Sequence, residues 1–171
     1  FLFTKQWSGT APPSWVFYIN SGTISCQVED EDDTGGVTAT EGSGYDDGLW
    51  HYASCVGDRD GNLVVYVDGV SGTPVSMISE DKTLDISGQH VIIGDRYLNG
   101  IMPSYPFNGS IDEVRVWNRT LSASEVYQQY ASNLQKYNDT GWYLSVNQSK
   151  NLTDGLDAGN YTYQAFASDT D

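Results

Sequence analysis

Basic residues are scarce in this chain. Eight Lys and Arg stand against 23 Asp and Glu in 171 residues, a formal net charge of −15. Such a surface repels phosphate backbones, which excludes nucleic acid as a main partner. Cysteine is scarce too, with only Cys26 and Cys55. An even, low count is compatible with one disulfide without demanding it. We read the pair as bonded, the alternative being two small buried hydrophobes. Histidine is limited to His51 and His90, so neither cysteine has the paired base of an activated thiol. No apolar run approaches the ~18 residues a membrane span needs, and no membrane insertion is expected within this segment. No signal peptide is visible, and the chain opens FLFTKQW without Met, which reads as a processed or excised segment.

What remains is β-forming. Hydrophobic residues make up 39% of the chain, enough for a core, while charged residues make up 18%. With 18 Gly and 12 Tyr, this suits a β-rich extracellular protein better than a helical cytosolic one. N-x-S/T glycosylation acceptors stand at Asn108, Asn118, Asn138, Asn147, Asn151 and Asn160. Each one, if used, needs an accessible loop or strand edge. They point to an extracellular or cell-surface glycoprotein.

Period-2 segments and turn signals dominate the chain. Residues 14–19, 22–29, 49–57, 62–67, 74–79 and 90–94 read as strands. Asp68-Gly69 supplies the φ > 0 of a tight hairpin. The acidic run 29–33 reads as a solvated loop. The stretch SIDEVRVW, 110–117, alternates like a strand, with Asp112, Val114 and Val116 on the inward face. A helix follows, because Ser122 and Glu125 form an S-x-x-E capping box. Composition changes near Tyr137–Gly141. Beyond it, 141–147 and 160–168 read as two strands around an Asp/Gly-rich turn, too few to bury a core alone.

Three stretches carry a resemblance. DGLWHYASCVGDRDGNLVVYVDG (47–69) resembles the Trp-His strand and Tyr-x-Asp-Gly hairpin of the laminin-G-like branch of the concanavalin A-like jelly rolls. FNGSIDEVRVWNRTLSASEV (107–126) is similar to that family's last strand and short helix. FLFTKQ leading to SWVFYI is similar to an early strand pair. The implied fold is all-β: an antiparallel concanavalin A-like jelly-roll sandwich with one short helix over residues 1–136. Residues 137–171 form a linker and the opening strands of an immunoglobulin-like β segment. The family's first strands have no counterpart here, so the chain looks cut at both ends.

Three kinds of site bear on chemistry. Hydrolytic relatives of this fold carry an E-x-D-x-x-E strand that pairs two carboxylates. None of Glu29, Glu31, Glu41, Glu80, Glu113 or Glu125 begins that pattern, so no catalytic residue is assigned. Glu113 and Arg115 make a same-face ion pair, and His51 is a core or half-buried hydrogen-bonded histidine. Asp112 matches the family position that holds a structural Ca²⁺; the alternative is that it caps nearby backbone N–H groups. Trp7, Tyr97 and Tyr105 are loop aromatics that are candidates to face a sugar, the alternative and favoured reading being that each packs, and the ligand itself stays unassigned. The expected function is non-catalytic adhesion to, or recognition of, a glycan or a cell-surface protein. The alternative is a structural subunit of a filament, sheath or surface layer, exchanging strands with copies of itself. A lesser alternative is an accessory module of a glycoside hydrolase.

Overall fold

The computed structural model describes residues 1–6, 13–31, 35–84, 90–96, 105–138 and 141–146, the last two stretches from 132 onward as backbone alone. The chain divides into two compact units, Phe1–Tyr130 and Ala131–Asp171.

The first unit is built of antiparallel strands. β1 (Phe3–Gln6) pairs with β2 (Ser14–Asn20), which pairs with β3 (Thr23–Glu29), which pairs with β4 (Val37–Glu41). A second sheet holds β5 (Ala53–Gly57), β6 (Asn62–Val67), β7 (Val70–Ser71) and β8 (Val75–Ser76), with β6 pairing to each of the others. β9 (Val91–Ile93) returns to the first sheet beside β1, giving the order β4-β3-β2-β1-β9.

The core lies between the sheets, and period-2 alternation creates it. Leu63, Val65 and Val67 of β6 are fully buried and face Ile24, Cys26 and Val28 of β3 and Val37 and Ala39 of β4. Cys26 and Cys55 are bonded, S–S 2.03 Å, so one disulfide ties the two sheets together. The β6–β7 turn takes φ of 50° at Asp68 and 79° at Gly69, the positive pair expected of a tight hairpin.

α1 (Ala123–Ala131) begins at the expected capping box. The Glu125 N–H donates to Ser122 Oγ at 3.3 Å, and the Ser122 N–H donates to Glu125 Oε2 at 2.8 Å. Val126 is fully buried against Val56 and Leu121, which docks the helix on the second sheet. In the second unit β10 (Ser132–Asn138) and β11 (Gly141–Val146) form an antiparallel hairpin. The expected strand 160–168 lies outside the described residues.

Four sequence expectations need correction. Residues 110–117 form no strand, and Val114 and Val116 point to solvent, 43% and 69% exposed. Alternation alone does not make a strand; a ladder partner must also lie alongside. Residues 49–52 are likewise outside β5, with Leu49 and Trp50 exposed. The span 74–79 shrinks to the two residues of β8, because from Met77 onward the chain turns to close on itself, the Glu80 N–H donating to Met77 O at 2.9 Å. Asp30 is fully buried rather than solvated. Its carboxylate accepts the Lys82 N–H at 2.7 Å, and its own N–H donates to the buried Glu80 at 2.9 Å. The Lys82 N–H offsets part of the cost of burying the Asp30 charge. β4 was not anticipated, since VTATE is short and follows the acidic run.

Candidate functional site

At one end of the first sheet the chain forms a pocket of about 590 Å³, lined by Phe1, Tyr18, Ile19, Asn20, Arg96, Tyr105 and Pro106. Three segments supply it. Pairing beyond β1 places Phe1: the Leu2 N–H donates to Phe17 O at 2.9 Å, and Leu2 O accepts the Gly94 N–H at 3.0 Å. Tyr18, Ile19 and Asn20 close β2 just before the turn at Ser21-Gly22, whose φ values of 48° and 75° force the chain around. Arg96 follows β9 after Gly94, whose φ of 81° bends the chain off the sheet.

The Phe1 ring is the centre of the wall. It lies 5.2 Å from the Tyr18 ring and 5.7 Å from the Tyr105 ring, edge-on to the latter. The Arg96 guanidinium sits over its face, 5.1 Å from the centroid, a cation–π contact that orients the donors. The lining thus combines aromatic faces, an amide and a guanidinium. Such a surface can pack against the apolar face of a ring and hydrogen-bond its substituents.

Asp95 organises the two outer segments. Its carboxylate Oδ1 accepts the N–H of Arg96 at 2.7 Å and of Tyr105 at 2.8 Å. Its carbonyl accepts Thr4 Oγ1 at 3.3 Å, and both residues are buried.

A second polar cluster surrounds His51. Its Nδ1 is 2.7 Å from Asp68 and its Nε2 is 3.1 Å from Asp47, with the Tyr45 ring edge-on at 5.0 Å. The hydrogen bond to Asp68, then that to Asp47, outweigh burial and raise the imidazole pKa above its ordinary value. The same cluster lowers the Asp47 pKa, chiefly through the Leu49 N–H and then through His51. His51 is half-buried and hydrogen-bonded, as expected, and it ties the loop carrying exposed Leu49 and Trp50 to the β6–β7 turn.

The other expected residues fall as follows. Tyr105 lines the pocket, while Trp7 and Tyr97 lie outside the described residues. Asp112 is exposed, and its Oδ1 accepts the neighbouring Glu113 N–H at 2.8 Å. Among the described residues there is no group of three or more His, Cys, Asp or Glu that could hold a metal ion. Glu113 pairs with Arg115 at 2.6 Å. Asn108 and Asn118 are exposed, Asn138 ends β10, and Asn147, Asn151 and Asn160 lie outside the described residues. Phe1, Tyr18, Asn20 and Arg96 were not singled out in the sequence. They are remote from one another along the chain and share no motif.

Comparison with known proteins adds a family. The model of Laminin_G_3, described as the concanavalin A-like lectin/glucanases superfamily, matches residues 2–127. Among solved structures, the chain is similar to the CBM40 of the Ruminococcus gnavus IT-sialidase bound to α2,3-sialyllactose, at 19% identity and a TM-score of 0.61. That match covers 74% of this chain and 71% of the other. The same module bound to α2,6-sialyllactose matches at 20% identity and a TM-score of 0.59, again over 74% and 71%.

Proposed function

Because this chain belongs to the concanavalin A-like lectin/glucanases superfamily, we propose that it is a non-catalytic carbohydrate-recognition module working outside the cell or on its surface. The observation that carries the reading is the pocket at the end of β2, walled by Phe1, Tyr18 and Tyr105 and furnished with Asn20 and Arg96. A sugar offers an apolar ring face bordered by hydroxyls, and this lining matches both halves of that chemistry. Similarity in fold to modules named as bound to sialyllactose supports the reading. So does the lack of an E-x-D-x-x-E strand in the sequence. The exposed acceptors Asn108 and Asn118 support a secreted or surface protein.

The test is a glycan array followed by calorimetry on the oxidised 171-residue chain, with α2,3-sialyllactose, α2,6-sialyllactose and lactose among the probes. Binding is expected, and Tyr105→Ala and Arg96→Ala each weaken it by about tenfold or more, roughly 1.4 kcal/mol. A folded chain that retains no glycan on the array overturns the proposal.

A further inference from the structure

The pocket depends on two residues, Arg96 and Tyr105, that both pack on Phe1 but are not neighbours in the chain. Their spacing along the sequence does not by itself bring them to one ring. One carboxylate oxygen does so: Asp95 Oδ1 accepts both the Arg96 N–H at 2.7 Å and the Tyr105 N–H at 2.8 Å. Short bonds from two N–H groups to one ionised oxygen are the strong kind.

The surroundings fit a clasp rather than a chance surface contact. Asp95 is 8% exposed, and a carboxylate is left that deep only when it is hydrogen-bonded. On its inner side the Asp95 carbonyl is held by the buried Thr4 of β1. The neighbouring Gly94 donates its N–H to Leu2 O at 3.0 Å and accepts the Phe107 N–H at 2.7 Å. The segment leading into β1 and the residues on either side, Arg96 and Tyr105, are therefore joined through residues 94 and 95.

We propose that Asp95 is the positioning residue of the pocket: its Oδ1 holds Arg96 and Tyr105 against Phe1 before any ligand arrives. This rests on the carbohydrate reading above. Asp95 itself does not touch the ligand. It spares the complex the cost of ordering the backbone that carries Arg96 and Tyr105, and removing it exposes that cost. Asn retains the same acceptor oxygen at the same reach and is the conservative replacement.

The experiment uses the oxidised 171-residue chain with α2,3-sialyllactose and lactose as probes. Asp95→Ala is expected to bind the better probe about tenfold more weakly than the parent. Asp95→Asn is expected to stay within about threefold of the parent, because the acceptor survives. A residue that served only overall stability would lower the thermal midpoint without this rescue of affinity. Equal binding by parent and Asp95→Ala overturns the proposal and leaves the carbohydrate reading standing. So does an Asp95→Asn variant as weak as Asp95→Ala. A parent that binds neither probe nor any arrayed glycan overturns both. If Asp95→Ala does not fold, the parent alone still decides. In the ligand-free parent the Tyr105 amide should be protected from hydrogen exchange, because its N–H is already held by Asp95 Oδ1. Exchange of that amide at the rate of an open chain overturns the clasp.

Discussion

His51 has both ring nitrogens facing carboxylates, Asp68 at 2.7 Å and Asp47 at 3.1 Å. Neutral imidazole carries one N–H, so only the protonated ring can donate to both. Its folded pKa is raised above the unfolded value near 6.5. The stability it contributes is therefore fully present below pH 6.5 and is lost as pH rises through the raised value. The thermal midpoint should fall by a few degrees across that window, and His51→Gln should flatten the fall. Glu125 behaves in the opposite sense. Arg119 foremost, then the Ser122 N–H and hydroxyl, lower its pKa to about 2. Its contribution is present above pH 4.5 and is lost as pH falls through about 2. Glu125→Gln should remove part of the acid-induced loss of helix seen by circular dichroism. An unchanged profile in either variant contradicts the assignment.

At the scale of elements, the chain between β7 and β8 passes close to β4 of the other sheet. Gly72 donates its N–H to Val65 O at 2.8 Å, and a Cβ placed on it would lie 2.5 Å from the carbonyl oxygen of Thr40 in β4. Backbone cannot swing aside as a side chain does, so Gly72→Ala should cost about 1–3 kcal/mol in urea unfolding. Gly61→Ala meets only the Asp58 side chain and serves as the milder control. The helix rests on a different device, the reciprocal bonds of Ser122 and Glu125. Ser122→Ala should cost about 1 kcal/mol by removing the cap. The segment 110–117 shows the limit of pattern reading. Its alternation is real, yet Val114, Val116 and Trp117 lie exposed. A strand is a relation between two segments, and period-2 spelling specifies only one of them.

For the whole molecule the largest single constraint is the Cys26–Cys55 bond, which closes a loop with a sequence separation of 29 between the two sheets. Loop-closure entropy of the unfolded chain sets its contribution at about 3–4 kcal/mol. The Cys26→Ser/Cys55→Ser double variant should melt well below the oxidised parent, and reduction of the parent should reproduce the shift. A midpoint unaffected by both would mean the sandwich core alone holds the sheets together. The charge of −15 acts at this scale as well, keeping the surface hostile to polyanions.

The β-sandwich class, the hairpin at Asp68-Gly69, the helix start at Ser122, the Cys26–Cys55 pair and a hydrogen-bonded His51 were all legible in the sequence. Each depends on local spelling: alternation, a turn dipeptide, a capping box, or the lack of any other cysteine. Tertiary structure alone decided which alternating runs found partners, that β4 joins β3, and that Asp30 is buried with its carboxylate on the Lys82 N–H. It also decided the pocket. Phe1, Tyr18, Asn20, Arg96 and Tyr105 meet where β1 lies between β2 and β9 and Asp95 Oδ1 accepts the N–H groups of both Arg96 and Tyr105. Contacts of that kind follow from sheet order and long-range hydrogen bonds, and no local pattern of side chains encodes them.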